Sequence, residues 1–167
     1  MSPTVIAIIP ARSGSKSIKH KNIKILKKKP LIYWSIKSCI DSKIIKKIYV
    51  STDSRQYAQI ALKHGAHEII MRPKSISSDK STDLEMIKHA IKNIKINFDV
   101  IAHIRPTTPN RKKGLIDSAI KKFLKSNSES LRTVHEMTET AYKSFEIKHG
   151  RLVGLCGTKK NVDDLNA

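Results

Sequence analysis

The sequence predicts an α/β fold with a mostly parallel sheet and flanking helices. Three observations point there. Continuous aliphatic runs, such as VIAIIP at 5–10, suit strands buried on both faces. Amphipathic stretches of about twelve residues separate the runs, long enough for right-handed crossover helices. Three of the runs stop at a proline, Pro10, Pro73 and Pro106, where a central ladder cannot continue.

The elements follow in order. After the first strand, PLIYWSIKSCIDS (30–42) places Leu31, Ile32, Trp34, Ile36, Cys39 and Ile40 near helical spacing. Pro30 suits the first turn of that helix. KKIYVSTD (46–53) reads as a second strand that stops in polar residues. SRQYAQIALKHGA (54–66) reads as a helix, with Ser54 as its N-cap and Gly65 as its stop. HEIIMRP (67–73) is a short strand and KSISSDKS (74–81) a polar loop. TDLEMIKHAIKNI (82–94) sets Leu84, Ile87, Ile91 and Ile94 on one helical face. DVIAHIRP (99–106) is a strand, TTPNRKKG (107–114) a loop and LIDSAIKKFLKS (115–126) a helix. SLRTVHEMTE (130–139) reads as a strand running into a loop, and SFEIKHGRLVGLC (144–156) as a hairpin turning at His149-Gly150. Residues 156–167 read as an irregular polar tail, and 1–167 as a single, incomplete domain.

A chain of 167 residues can bury one sizeable core. With 39% hydrophobic and only 5% aromatic residues, that core must be aliphatic. The net charge of +19 favours an anionic partner. Yet 26 of the 33 basic residues are Lys, spread along nearly every helix. A coding bias towards Lys, Ile and Asn gives the same total, so the charge alone leaves both readings open. Aromatics are few and not interleaved with the basic runs, which argues against a nucleic-acid surface. Cys39 and Cys156 form no CxxC or Cys/His spacing, so neither a zinc site nor a disulfide framework is expected. Both read as small buried hydrophobes in a reducing compartment. His135-Glu136 lacks the second His of a zincin motif, and no triad arrangement is visible. No signal-peptide pattern and no apolar run near the ~20 residues of a membrane span occur, so the chain reads as soluble and cytoplasmic.

In open parallel sheets, ligands bind beyond the carboxyl ends of the strands. Those ends here are Pro10-Ala11-Arg12, Ser51-Thr52-Asp53, Arg72-Pro73 and Arg105-Pro106. Three of the four bring an arginine. The first is followed by Ser13-Gly14-Ser15-Lys16, small residues that let backbone N–H groups converge on phosphate oxygens. The spacing is neither a Walker A loop nor the dinucleotide GxGxxG. A solvated basic loop would read the same way. Arg72 also reads as a strand-end arginine snorkelling to water, and Asp79, Ser81, Thr82 and Asp83 as the cap of the next helix. Asp53 stands beside Ser54, a second capping candidate.

Several of these segments together resemble one family. IPARSGSKSIKHKNI is similar to the signature IPARGGSKGIPxKNI of the acylneuraminate cytidylyltransferases. PLIYWSI, VSTD, RPKSISSDKST and HIRPTTPNR resemble further family segments, in the same order. SLRTVHEMTETAYKSFEI resembles the branch that activates legionaminic acid and similar nonulosonic acids. The resemblance covers residues 4 to 155. It implies a Rossmann-like nucleotide-diphospho-sugar transferase fold, usually in a homodimer. It implies joining CTP to a nonulosonic acid to give a CMP-sugar and pyrophosphate with Mg²⁺, and neither nucleic-acid nor membrane partners. By the same resemblance, Arg12, Lys16 and Lys21 would grip the phosphates, with Arg12 and Lys21 in catalytic roles. Ser13, Gly14 and Ser15 would give backbone contacts, Asn22 would touch the nucleotide, and Arg72 and Ser81 would lie in the cytidine pocket. Arg105 stands where many members have glutamine, a position that faces the nucleotide or the sugar, and its charge would be directed to the sugar carboxylate; Asp83 stands where several have serine. Ser13 replaces a family glycine, which is tolerated only if its φ is negative. The family's carboxylates for Mg²⁺ lie in a segment with no counterpart here, so no metal ligand is assigned and the chain reads as a fragment that is inactive by itself.

Overall fold

The computed structural model describes residues 3–134, 145–149 and 151–154. They fall into two compact units that divide after Leu131. The first unit carries a parallel sheet of β1 (Val5–Pro10), β4 (Ile45–Thr52), β5 (Glu68–Met71) and β6 (Val100–His103). Its helices are α1 (Leu31–Ile40), α2 (Arg55–Lys63), α3 (Asp83–Asn93) and α4 (Leu115–Lys125). A small antiparallel pair, β2 (Ile25–Leu26) and β3 (Lys29–Pro30), precedes α1. In the second unit β7 (Phe145–Lys148) and β8 (Arg151–Gly154) form an antiparallel hairpin.

The strand order in the sheet is β5-β4-β1-β6, parallel throughout. Counting only sheet strands, that is 3-2-1-4, the order of a Rossmann half. The chain direction across the sheet reverses between β1 and β6, and a crevice opens at their carboxyl ends.

The aliphatic runs account for the layers. Along β1 alternate residues enter two cores: Ala7 and Ile9 pack with Ile32, Ile36 and Tyr57, whereas Ile6 and Ile8 pack with Tyr49, Met86 and Ala90. Helices α1 and α2 thus cover one face and α3 the other. Each of Ile6, Ala7, Ile8 and Ile9 is fully buried, as a strand sandwiched between helices requires.

Gly65 ends α2 as its sequence position suggests. Its φ is +96°. The Ala66 amide bonds to the Ala61 carbonyl and the Gly65 amide to the Leu62 carbonyl, both at 3.0 Å, which is a Schellman cap. Ser54 caps α2 through the Tyr57 amide. Thr82 caps α3, with Glu85 returning the bond as a capping box.

Four elements differ from the sequence reading. The 3₁₀ turns at Lys21–Ile23 and Lys74–Ile76 and the β2–β3 hairpin stand where plain loops are expected. That hairpin turns on Lys27 and Lys28 at φ +49° and +65°, conformations that Asn and Gly favour and Lys does not advertise. Residues 130–134 carry no strand; Val134 is 85% exposed, and β-branched residues make a strand only beside a partner. Residues 135–139, Cys156, the His135-Glu136 pair and the 156–167 tail lie outside the described residues.

Candidate functional site

A cavity of about 490 Å³ opens over the carboxyl ends of β1, β5 and β6. Arg12, Ser15, Lys16, Lys21, Asn22, Arg72, Ser81 and Arg105 all line it. These residues span 94 positions of sequence, from Arg12 to Arg105 inclusive, and the topology gathers them at the crevice that the fold leaves open. Ser13 and Gly14 do not line it. Asp79, Thr82 and Asp83 do.

The opening loop is held from below. Asp53, at the end of β4, accepts from both the amide and the hydroxyl of Ser13, each at 2.7 Å. The Ser15 amide donates to the Ser13 carbonyl at 3.0 Å. Two of the loop amides expected at a phosphate are therefore spent within the protein. Ser13 is absent from the positive-φ residues, so serine replaces glycine there without backbone strain. Asn22 is 5% exposed and donates its side-chain amide to the Arg12 carbonyl at 2.9 Å. It ties one end of the loop to the other and leaves its Oδ1 for a ligand.

The cations divide into paired and unpaired groups. Asp79 bridges Arg12 at 3.0 Å and Lys16 at 2.8 Å. The Lys16 hydrogen bond, then its charge and that of Arg12, hold the Asp79 carboxyl below its ordinary range. Arg12 also donates to the Ser78 carbonyl. Arg105 pairs with Asp83, so the two residues that depart from the resembled pattern meet each other. Among the described residues, neither Lys21 nor Arg72 has a carboxylate within 4.0 Å.

Arg72 is not a snorkelling arginine. It is 8% exposed. Its Nε donates to the Ser51 hydroxyl at 3.2 Å and its Nη2 to the Ser51 carbonyl at 3.1 Å. Burial lowers its pKa, partly offset by the charge of Asp53. The guanidinium is a fixed charge in the cavity floor.

The Arg105 loop is anchored through its own carbonyl, which accepts from Ser35 at 3.2 Å and from Arg111. Arg111 also donates to the Ser35 hydroxyl at 3.0 Å. Ser35 is fully buried on α1, so the loop that follows β6 is fixed to a core helix. Neither role is visible in sequence: Ser35 and Arg111 lie in segments that resemble the family, PLIYWSI and HIRPTTPNR, but nothing in their spacing says that the two meet.

His103 is the last residue of β6. Its Nε2 is buried without a hydrogen-bond partner among the described residues. Burial lowers its pKa, and Arg105 and Arg72 lower it further against the opposing charge of Asp83.

Among the described residues no three His, Cys, Asp or Glu side chains gather as a metal centre. The two carboxylates of the cavity, Asp79 and Asp83, are both held by cations. The described residues do not fit a magnesium site.

Fold and cavity define a Rossmann-like α/β protein with a cation-lined crevice at its topological switch point. The chain belongs to the Cytidylyltransferase family, whose profile matches residues 6–149. Relatives include an N-acylneuraminate cytidylyltransferase of Escherichia coli O18:K1:H7 (strain RS218 / NMEC). It is 40% identical over 123 residues, covering 74% of this chain and 29% of that protein. A pseudaminic acid cytidylyltransferase of Campylobacter jejuni serotype O:2 is 30% identical over 151 residues, covering 89% of this chain and 65% of that protein. The chain thus spans less than two thirds of the length of these curated relatives. Among solved structures, a CMP:2-keto-3-deoxy-manno-octonic acid synthetase complexed with CTP superposes with a TM-score of 0.62 at 16% identity, over 72% of this chain and 47% of that one. A cytidylyltransferase from Leptospira borgpetersenii gives 0.60 at 20% identity, over 75% and 51%. These likenesses support the fold.

No helix among the described residues is long and apolar enough to cross a membrane.

Proposed function

We propose that this chain forms the CTP-binding part of a synthetase that activates a nonulosonic acid of the sialic or legionaminic type. The observation that carries the reading is the meeting of Arg12, Lys16, Lys21, Arg72, Ser81 and Arg105 in one cavity, within a chain of this family. In the reaction the sugar's anomeric hydroxyl attacks the α-phosphorus. The hydroxyl's O–H bond breaks and its proton passes to solvent, a new P–O bond forms to the sugar, the bond to the β-phosphate oxygen breaks, and pyrophosphate leaves.

Phosphoryl transfer of this kind asks a protein mainly for positioning and charge neutralisation. Arg12 and Lys16 supply cations on the first loop. Lys21, half-buried and without a carboxylate partner, supplies a third from the 3₁₀ turn. Arg72 fixes charge in the floor, and Ser81 brings its hydroxyl to the nucleotide. Arg105, released from Asp83, would meet the sugar carboxylate. Mg²⁺ on the triphosphate belongs to this reading, with ligands from outside the described residues, and no step here is routed through it. A homodimer and a cytoplasmic setting belong to it as well.

Pseudaminic acid is the second substrate reading, supported by the 30% identity to an enzyme of that name. Pyrophosphate release, measured across sialic, legionaminic, pseudaminic and octulosonic acids, separates the candidates. The grip itself is tested by calorimetry with CTP. Arg12→Ala or Lys16→Ala should weaken binding by at least tenfold, as loss of a charged hydrogen bond does, while Lys121→Ala on α4 should not. Equal effects at all three sites, or tighter binding of an oligonucleotide than of CTP, would overturn the reading.

A further inference from the structure

The cavity already holds an anion of its own. Asp79 places one carboxylate oxygen on Arg12 and the other on Lys16, at 3.0 and 2.8 Å. Arg12 is anchored a second time on the same loop, at the Ser78 carbonyl. The Ser78 amide in turn donates to the Ser81 hydroxyl at 3.0 Å. The first loop and the loop before α3 are thus closed on each other through ionic contacts between exposed and half-exposed groups: the Lys16 side chain is 82% exposed and that of Asp79 33%.

We propose that Asp79 is a built-in competitor for the anionic ligand, a residue that phosphate oxygens must displace from Arg12 and Lys16 before they can be held there. This rests on the reading of the cavity as a phosphate grip. Three features support exchange over a permanent lock. The bridge uses the same two cations that the first loop offers to a ligand. Its groups are partly to largely exposed, so water screens it. It also leaves Lys21 and Arg72 without a carboxylate partner among the described residues, so an arriving polyphosphate has two cations to land on before the other two are released. The charge of Asp79, held ionised by its neighbours, persists through neutral pH.

A competitor lowers affinity, whereas a residue that merely shapes the site raises it, and the sign of one substitution separates the two. Inorganic tripolyphosphate, titrated calorimetrically without metal, is the probe. Exposed ion pairs are weak, so releasing two of them should tighten binding by roughly 3- to 30-fold in Asp79→Asn. Asp79→Glu keeps the charge and should stay within about threefold of the native chain. In an Arg12→Ala background the gain from Asp79→Asn should shrink, because one of its two pairs is gone. Tighter binding by Asp79→Asn, including the case where only that variant binds measurably, supports the proposal. Equal or weaker binding by Asp79→Asn, with binding by the native chain, overturns the competitor and leaves the phosphate grip standing. No binding by the native chain or either variant overturns both.

Discussion

Replacing Arg72 with Met separates a functional arginine from a structural one. Arg72 is 8% exposed, and among the described residues its guanidinium bonds to Ser51 alone. Its removal costs less than two lost bonds suggest. The Ser51 carbonyl also accepts from the Ala11 amide at 2.8 Å, so it stays satisfied. Only the Ser51 hydroxyl loses a donor, at about 1–2 kcal/mol. Against this stands the desolvation of a cation with no carboxylate in contact, a cost of several kcal/mol after relaxation. Met retains most of the packing volume. The two effects roughly cancel, so urea denaturation should show a change within about 2 kcal/mol. Binding has no such cancellation. A unit charge about 6 Å from a phosphate, at an effective dielectric near 20, contributes roughly 2–3 kcal/mol. The CTP dissociation constant should therefore rise by about 30- to 150-fold. A loss of more than about 3 kcal/mol in stability with CTP affinity unchanged would refute this reasoning and make Arg72 a scaffold residue.

Two further outcomes concern the scaffold. Gly65→Ala should lower unfolding free energy by about 1–3 kcal/mol in urea, since φ is +96° and a Cβ would lie 2.7 Å from Ile40 Cδ1; unchanged stability would count against the Schellman cap as a fixed feature. Cys39 is 1% exposed and burial pushes its thiol up to about 12. In a Cys156→Ser background it should resist alkylation near pH 8 until denaturant is added, and rapid native labelling would show an opening of α1. Its raised pKa has a definite sign: the stabilisation is complete below the ordinary value of 9.0 and is lost as pH climbs towards about 12.

Much of the fold was legible because local signals and burial agree. VIAIIP had to be a doubly buried strand, and its residues alternate between two cores. Gly65 and Ser54 cap the helix that their chemistry marks. The capping box was also readable, since Thr82 and Glu85 stand at the required spacing, though Ser81 competed for the same role. What was not legible depends on partners. Leu131 and Val134 have strand propensity, yet neither pairs in a strand among the described residues. Lys27-Lys28 occupy a turn whose geometry their side chains do not announce.

The site shows the same division more sharply. Sequence placed the arginines at strand ends, and topology turned those ends into one cavity. Sequence could not say which charges would be spent on each other. With a net charge of +19, every cation in the opening loop reads as available to a ligand. In the folded chain Asp79 occupies Arg12 and Lys16, and Asp83 occupies Arg105. Both carboxylates had looked like helix-capping residues, since they flank the cap of α3. Their second role follows from where that cap lies: the loop before α3 must cross the mouth of the sheet, so acidic residues chosen for the helix terminus also face the cations of β1 and β6. The chain's strong positive charge is therefore a poor measure of its readiness to bind an anion. The better measure is the pair of cations left unmatched, Lys21 and Arg72, and how easily a ligand that lands on them can free the rest.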